Sequence, residues 1–236
     1  MNISTCSPAA TTANRGHTAR DKSGSSSKFS PPALTTTPDL HAFLRTRRSI
    51  RRFKADRVPD SVIRDILHTA TFAPSAHNRQ PWRFIVLTDS PAKQHLSDAM
   101  AAEFQRDLEK DNISSEEITK RVNRSRERIT GAPVVVILCL DMSEMDAYPD
   151  ARRKKAEYII ATQSAANAGM QLLLAAHAEG LGGVWVCSPM FAQETVQKAL
   201  NIPTTWEPQA MFLLGYPVDT PPVRERKKLQ EIAIFL

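Results

Sequence analysis

Cysteine, glycine, aromatics and long apolar runs are all scarce in this 236-residue sequence. Cys6, Cys139 and Cys187 lie far apart, in no Cys-x-x-Cys or Cys/His spacing. That argues against a disulfide framework and a thiolate zinc centre; no metal is expected, and reduced thiols fit a cytoplasmic protein. No apolar run reaches the roughly 18 residues that a membrane-spanning helix needs, so no membrane partner is expected. The pair Gly182-Gly183, among eight glycines, opens no Gly-x-Gly-x-x-Gly turn, so the dinucleotide fingerprint is absent. Aromatics make up 6% and do not interleave with basic residues, so the net charge of +6 forms no nucleic-acid-binding stripe.

The rest of the composition is that of a soluble globular protein, 42% apolar and 24% charged. Half of the net charge sits in residues 1–37, where Arg15, Arg20, Lys22 and Lys28 face Asp21 alone. That stretch is rich in Ser, Thr, Ala and Pro and has one aromatic, Phe29, so it reads as a disordered tail without a secretory apolar core. Residues 38–236 are expected to form one folded domain. Leu40, Phe43 and Leu44 mark a short helix; Val62, Ile63, Ile66 and Leu67 mark a second, capped by Asp60. The runs 82–87, 133–140, 181–187 and 210–216 read as strands. A charge-mixed helical stretch covers about 90–129, a long helix 151–179, and a short one 192–200. From Tyr158 to Ala178 the long helix is apolar or small on nearly every face, which predicts burial all round and a dimer interface. Gly180 suits its C-terminal cap. Mixed helices and strands make the class α/β or α+β.

Four segments carry chemistry. Arg47-Arg48-Ser49-Ile50-Arg51-Arg52-Phe53 brings guanidinium forks and a hydroxyl together, groups that suit a phosphate. As a sequence alone it is equally a solvated basic turn. Ala73 to Phe84 crowds Ser75, Asn78 and Gln80 into one loop, where amide and hydroxyl groups can read the edge of a flat heterocycle. Gly182 to Pro189 contains a glycine-bearing strand that a ligand could approach closely. Gly215-Tyr216-Pro217 precedes a second basic cluster, Arg224, Arg226, Lys227 and Lys228.

The order RRSIRRF, APSAHNRQPWRF, GLGGVW and GYP before RERKKL resembles the nitroreductase family across roughly residues 40–236. Within it, GLGGVW and Trp206-Glu207-Pro208 resemble most the C-terminal reductase domain of coenzyme F-420 γ-glutamyl ligase. The resemblance implies an α+β, three-layer fold with a central mixed sheet flanked by helices, an intertwined homodimer, and FMN held between subunits. Arg47, Arg48, Ser49 and Arg51 would hold the FMN phosphate and ribityl chain, joined by Arg226 and Lys228. Pro74, Ser75, Ala76 and Asn78 would come from the partner subunit. Gly183, Cys187 and Ser188 would form the wall beside the flavin ring. NAD(P)H is the implied electron donor, and the flavin, not a protein nucleophile, carries the hydride. His77, Ser75 and Cys187 are candidate proton donors to the acceptor. Pro189 and Met190 stand where many relatives have an acidic residue and glycine, which departs from the usual acceptor geometry. The acceptor implied is the enol-pyruvyl C=C of dehydro-coenzyme F-420, or a broad set of nitro compounds and quinones. A flavin-binding module without turnover is the reading from another class.

Overall fold

The computed structural model describes residues 36–236, so the reading of residues 1–37 as a tail falls almost wholly outside it. The chain divides into Met1–Leu40, of which residues 36–40 are described, and His41–Leu236. The second unit holds the sheet and the site.

The helices are α1 Thr37–Thr46, α2 Asp60–Ala70, α3 Ser90–Lys110, α4 Ser115–Thr130, α5 Ala151–Ala178 and α6 Gln193–Leu200. The strands are β1 Trp82–Leu87, β2 Val134–Asp141, β3 Gly182–Val186 and β4 Trp206–Gly215, in the spatial order β1-β2-β4-β3. All three strand pairings are antiparallel. The four-stranded sheet is therefore antiparallel rather than mixed as expected; the parallel contact, Ser49 to Gly183, is an isolated bridge outside the named strands.

β2 is the centre of the fold because its eight residues, VVVILCLD, are buried on both faces. Val134, Val136, Leu138 and Leu140 join Ile63 and Ile66 of α2 and Ala161, Ala165, Ala168 and Leu172 of α5. Val135, Ile137 and Cys139 join Leu96 and Met100 of α3 and Val196 of α6. A β-branched strand with alternating side chains thus builds a helix–sheet–helix sandwich.

Local chemistry explains where the elements differ from expectation. The polar stretch 90–129 is two helices. α3 ends at Asp111, Asn112 takes the left-handed conformation (φ 57°), and Ser114 caps α4 by accepting from Glu117 N. Asp60 is not the cap of α2: Pro59 holds that place, and Asp60 opens the helix paired to Arg57 at 3.0 Å. β4 begins at Trp206 rather than 210, because Pro208 sits at the register shift between Leu138 and Cys139 of β2. An irregularity there spares the ladder an amide that proline lacks.

α5 is not buried all round within one chain. Its sheet face is small so that it can lie close: a Cβ on Gly169 would come within 2.7 Å of both Trp185 and Phe212. On other faces Tyr158, Ile159, Ile160 and Met170 are between 36% and 45% exposed. Gly180 ends the helix with φ 72°, as its cap role requires. Among the described residues, no helix is long and apolar enough to cross a membrane.

Candidate functional site

The basic segment 47–53 is laid along the edge of the sheet. Ile50 N donates to Gly183 O at 3.1 Å, Lys54 N to Tyr216 O at 2.8 Å, and Val218 N to Arg52 O at 3.1 Å. Ile50 is the anchor: it fills the space that a side chain on Gly182 would need, with its Cβ 2.6 Å from that Cβ position. A Cβ on Gly183 would likewise meet Leu173 and Leu214 at 2.8 Å. Both glycines are therefore required by packing, and the Gly183 carbonyl is already engaged by Ile50. The close approach expected at this strand is made by the protein's own segment.

Anchoring Ile50 inward fixes the arginines around it. Arg48 folds back on its own chain, its Nη1 donating to the carbonyls of Arg45 (2.5 Å) and Arg47 (2.9 Å). Among the described residues Arg51 Nη1 reaches only Ser49 O, at 3.4 Å. Arg47 Nε is buried and has no hydrogen-bond partner among the described residues. Arg47 lines a cavity of about 170 Å³ together with His177, Leu173 and Thr220. His177 accepts or donates at 3.1 Å to Thr46 Oγ1 and stacks on Phe43. Burial, then the charges of Arg47 and Arg48, hold its imidazole below its ordinary pKa. A buried guanidinium nitrogen with no acceptor, beside a neutral-leaning imidazole, is a place short of an anion.

The loop 74–80 is held in the opposite manner, by its own backbone. His77, Asn78 and Gln80 have φ of 50°, 53° and 51°. Each costs about 1–2 kcal/mol for an L-residue, so the loop persists only because its surroundings impose it. Ser75 Oγ accepts from Gln80 N at 3.1 Å and closes the loop. Ala76 N donates to Ser164 Oγ (3.2 Å) and Asn167 Nδ2 to Pro74 O (3.2 Å), tying the loop to α5. Arg79 pairs with Asp146, and Arg83 with Asp141 and Glu144. These ion pairs hold the loop's flanks, while Pro74, His77 and Asn78 remain exposed.

Ser164 and His177 are thirteen residues apart on α5, about 20 Å at 1.5 Å per residue. The loop and the basic segment therefore attach to one helix at two distant stations. The C-terminal pair does not converge on the segment either. Arg226 Nη1 donates to the carbonyls of Arg224 and Glu225, and no hydrogen bond or ion pair among the described residues links Arg226 or Lys228 to Arg47–Arg51.

Gly183 lies within β3, and Cys187 and Ser188 follow directly off its end. Cys187 is exposed at the start of a 3₁₀ turn, Ser188–Phe191. Cys139, by contrast, is buried in β2, and burial pushes its thiol up to about 12, so it is chemically quiet. Ser188 and Val186 border a larger cavity of about 770 Å³ between the sheet and the helices α3 and α4. Its wall includes Arg124 and Arg128, which sequence patterning passed over because they lie in a helix of mixed charge.

The model of the nitroreductase family matches residues 44–216. The chain belongs to the nitroreductase family. It is 29% identical over 192 residues to a Bacillus subtilis protein provisionally named NAD(P)H nitroreductase YfhC, covering 81% of this chain and 91% of that one. It is 28% identical over 215 residues to a Thermus thermophilus NADH dehydrogenase, covering 80% and 92%. A Desulfovibrio desulfuricans protein, provisionally called a nitroreductase and solved in complex with FMN, superposes with a TM-score of 0.65 at 28% identity. That match covers 86% of this chain and 98% of the other. A Clostridium difficile BluB-like flavoprotein shares the fold, with a TM-score of 0.68 at 24% identity. The nitroreductase-like α+β fold is thus shared across chains of similar length.

Proposed function

We propose that this nitroreductase-family chain is an FMN-dependent oxidoreductase that passes reducing equivalents from NAD(P)H to a small organic acceptor, working as a homodimer with shared sites. The observation that carries this is the buried, partnerless Arg47 Nε at the end of a basic segment fixed to the sheet edge. A phosphate there would accept from Arg47, Ser49 and Arg51, and would ease the crowding of Arg47 and Arg48 around His177.

The flavin would supply the hydride chemistry; the chain's part is to bind, orient and shield it. Ser49 and Arg51 would hold the cofactor's phosphate and ribityl chain, and Cys187 and Ser188 would flank its ring, with Gly183 behind them taken up by packing on Leu173 and Leu214. Pro74, Ser75, Ala76 and Asn78 would come from the second subunit; within one chain their tie to α5 at Ser164 lies about 20 Å along the helix from His177, where the basic segment attaches. The same second copy would cover the bare side of α5, where Ile159 and Met170 are more than 40% exposed. It would also give Arg226 and Lys228 a phosphate to meet. Ser75 Oγ accepts from Gln80 N, which leaves its proton free to donate.

Nitro compounds and quinones are the preferred acceptor class. The narrower acceptor, dehydro-coenzyme F-420, rests on GLGGVW and on Trp206-Glu207-Pro208. The first segment is accounted for by close packing on Ile50 and α5, and the second by the entry of β4. Neither leaves a residue whose placement calls for that acceptor.

The test is the absorbance spectrum of the purified protein on gel filtration. A flavin spectrum at dimer mass, bleached by NADH or NADPH and restored by menadione or nitrofurazone, is the expected result. A yellow protein that never cycles would be a flavin-binding module. A colourless monomer that takes up no FMN would sink the proposal. Incubation with dehydro-coenzyme F-420 and a reductant, read as a gain of two hydrogens by mass, decides the narrower acceptor.

A further inference from the structure

The cavity of about 770 Å³ beside Ser188 has an apolar floor and an arginine-rich wall. Val186, Met211 and Leu213 from the sheet and Phe104 from α3 make the floor, and the volume is that of a small-molecule site. The wall is α4. Arg121, Arg124 and Arg128 are spaced i, i+3, i+7, so they share one helix face, and all three border the cavity.

Their partners divide them. Arg121 is paired with Glu117 at 2.7 Å, and Arg126, nearby on α4, with Asp98 at 3.3 Å. Arg124 and Arg128 make no ion pair or hydrogen bond among the described residues. The acids that border the cavity are largely committed elsewhere. Glu103 is held by Arg106 (3.1 Å) and Thr195, and Asp107 by Lys110 (3.1 Å), leaving Asp111 at the end of α3. Burial, then the nearby charges of Arg124 and Arg51, pull the Arg128 guanidinium below its ordinary value. Arg124 and Arg128, neither of them ion-paired among the described residues, therefore put two like charges on one wall of a half-buried apolar cavity. Such an arrangement is unfavourable by itself and is relieved by an anion from outside.

We propose that Arg124 and Arg128 read a tetrahedral oxyanion on the redox partner, so that this protein selects substrates with a flat body and a phosphate or sulfonate group. The proposal rests on the flavin reading above, since Ser188 joins this cavity to the proposed flavin wall. Two sources offer that chemistry: the 2′-phosphate of NADPH, which NADH lacks, or an oxyanion on the acceptor.

The experiment compares FMN-loaded wild-type protein with R124Q/R128Q and R124K/R128K. Two ratios of kcat/KM are read: NADPH over NADH, and 1,2-naphthoquinone-4-sulfonate over menadione. At least one ratio should exceed about tenfold in the wild type, fall towards one in the Gln variant through KM, and be intermediate in the Lys variant, which keeps charge but loses the fork. The ratio that moves identifies the source. A second measurement is the melting temperature of apo-protein with adenosine 2′,5′-bisphosphate or with adenosine. The bisphosphate alone should stabilise the wild type and should not stabilise R124Q/R128Q. A yellow, cycling protein with both ratios near one and no shift would overturn this inference and leave the flavin reading intact. A colourless protein that binds the bisphosphate through Arg124 and Arg128 would do the reverse.

Discussion

The segment 47–53 and the loop 74–80, both proposed to hold the flavin, are fixed by opposite means. The first is strand-like: it borrows hydrogen bonds from β3 and from the residues just after β4 and is pinned by one buried side chain, Ile50. The second has no strand to lean on and holds three left-handed residues, closed by the Ser75 hydroxyl. A borrowed edge fails when its packing is disturbed, whereas a self-closed loop fails when its closing bond or its ties to α5 are lost. The comparison separates two ways in which a site can be preorganised.

The sharpest way to break the first half is Gly182→Ala. The new methyl must displace Ile50 or the segment that carries it, at a cost of about 1–3 kcal/mol, and flavin retention should be lost with it. A variant that keeps both its melting temperature and its flavin would show that Ile50 is not the anchor. Arg47→Met tests the same half without touching its packing. Its buried, partnerless nitrogen disappears, so the apo-protein should melt no lower than the wild type, while FMN affinity falls about tenfold to a hundredfold. Titration of apo-protein by flavin fluorescence reads that loss; unchanged affinity would remove Arg47 from the site.

The loop responds more mildly. His77→Gly relieves a left-handed residue but frees the unfolded chain, and these nearly cancel, so stability should move by less than about 1 kcal/mol. Turnover that survives with an unchanged pH profile would rule out His77 as proton donor; a collapse in kcat with flavin retained would install it there. The smallest effect is a pH dependence. The folded pKa of His177 lies below its unfolded value, so between the two the unfolded chain binds more protons. Its contribution to stability should be complete above the ordinary imidazole value and decline as pH falls towards the folded one. His177→Phe should flatten that slope in urea melts, and an unflattened slope would point to another group.

Much of the scaffold was legible because it depends on local pattern. PVVVILCL announces a strand buried on both faces, and Gly180 announces the end of α5. The Arg- and Ser-bearing segments were legible as a set, although the reason for Gly182 was not: a slot for Ile50 arises only when residues 132 apart in sequence meet. Pro208 hid the first four residues of β4, since a register shift is a property of two strands together. Arg124 and Arg128 were hidden for a similar reason. On a helix with many charges, which of its arginines lack partners is recognisable only after the partners of Arg121 and Arg126 are known.

α5 fixes the distance and the angle between its two stations at Ser164 and His177. One residue inserted between them would turn one station by about 100° against the other, and seven would restore the angle while lengthening the gap by about 10 Å. Descendants of this chain can exchange side chains along that stretch, but insertions and deletions there would misalign both ends at once. Length change should instead accumulate outside it, in places such as the turn between α3 and α4, where nothing is measured from one end to the other.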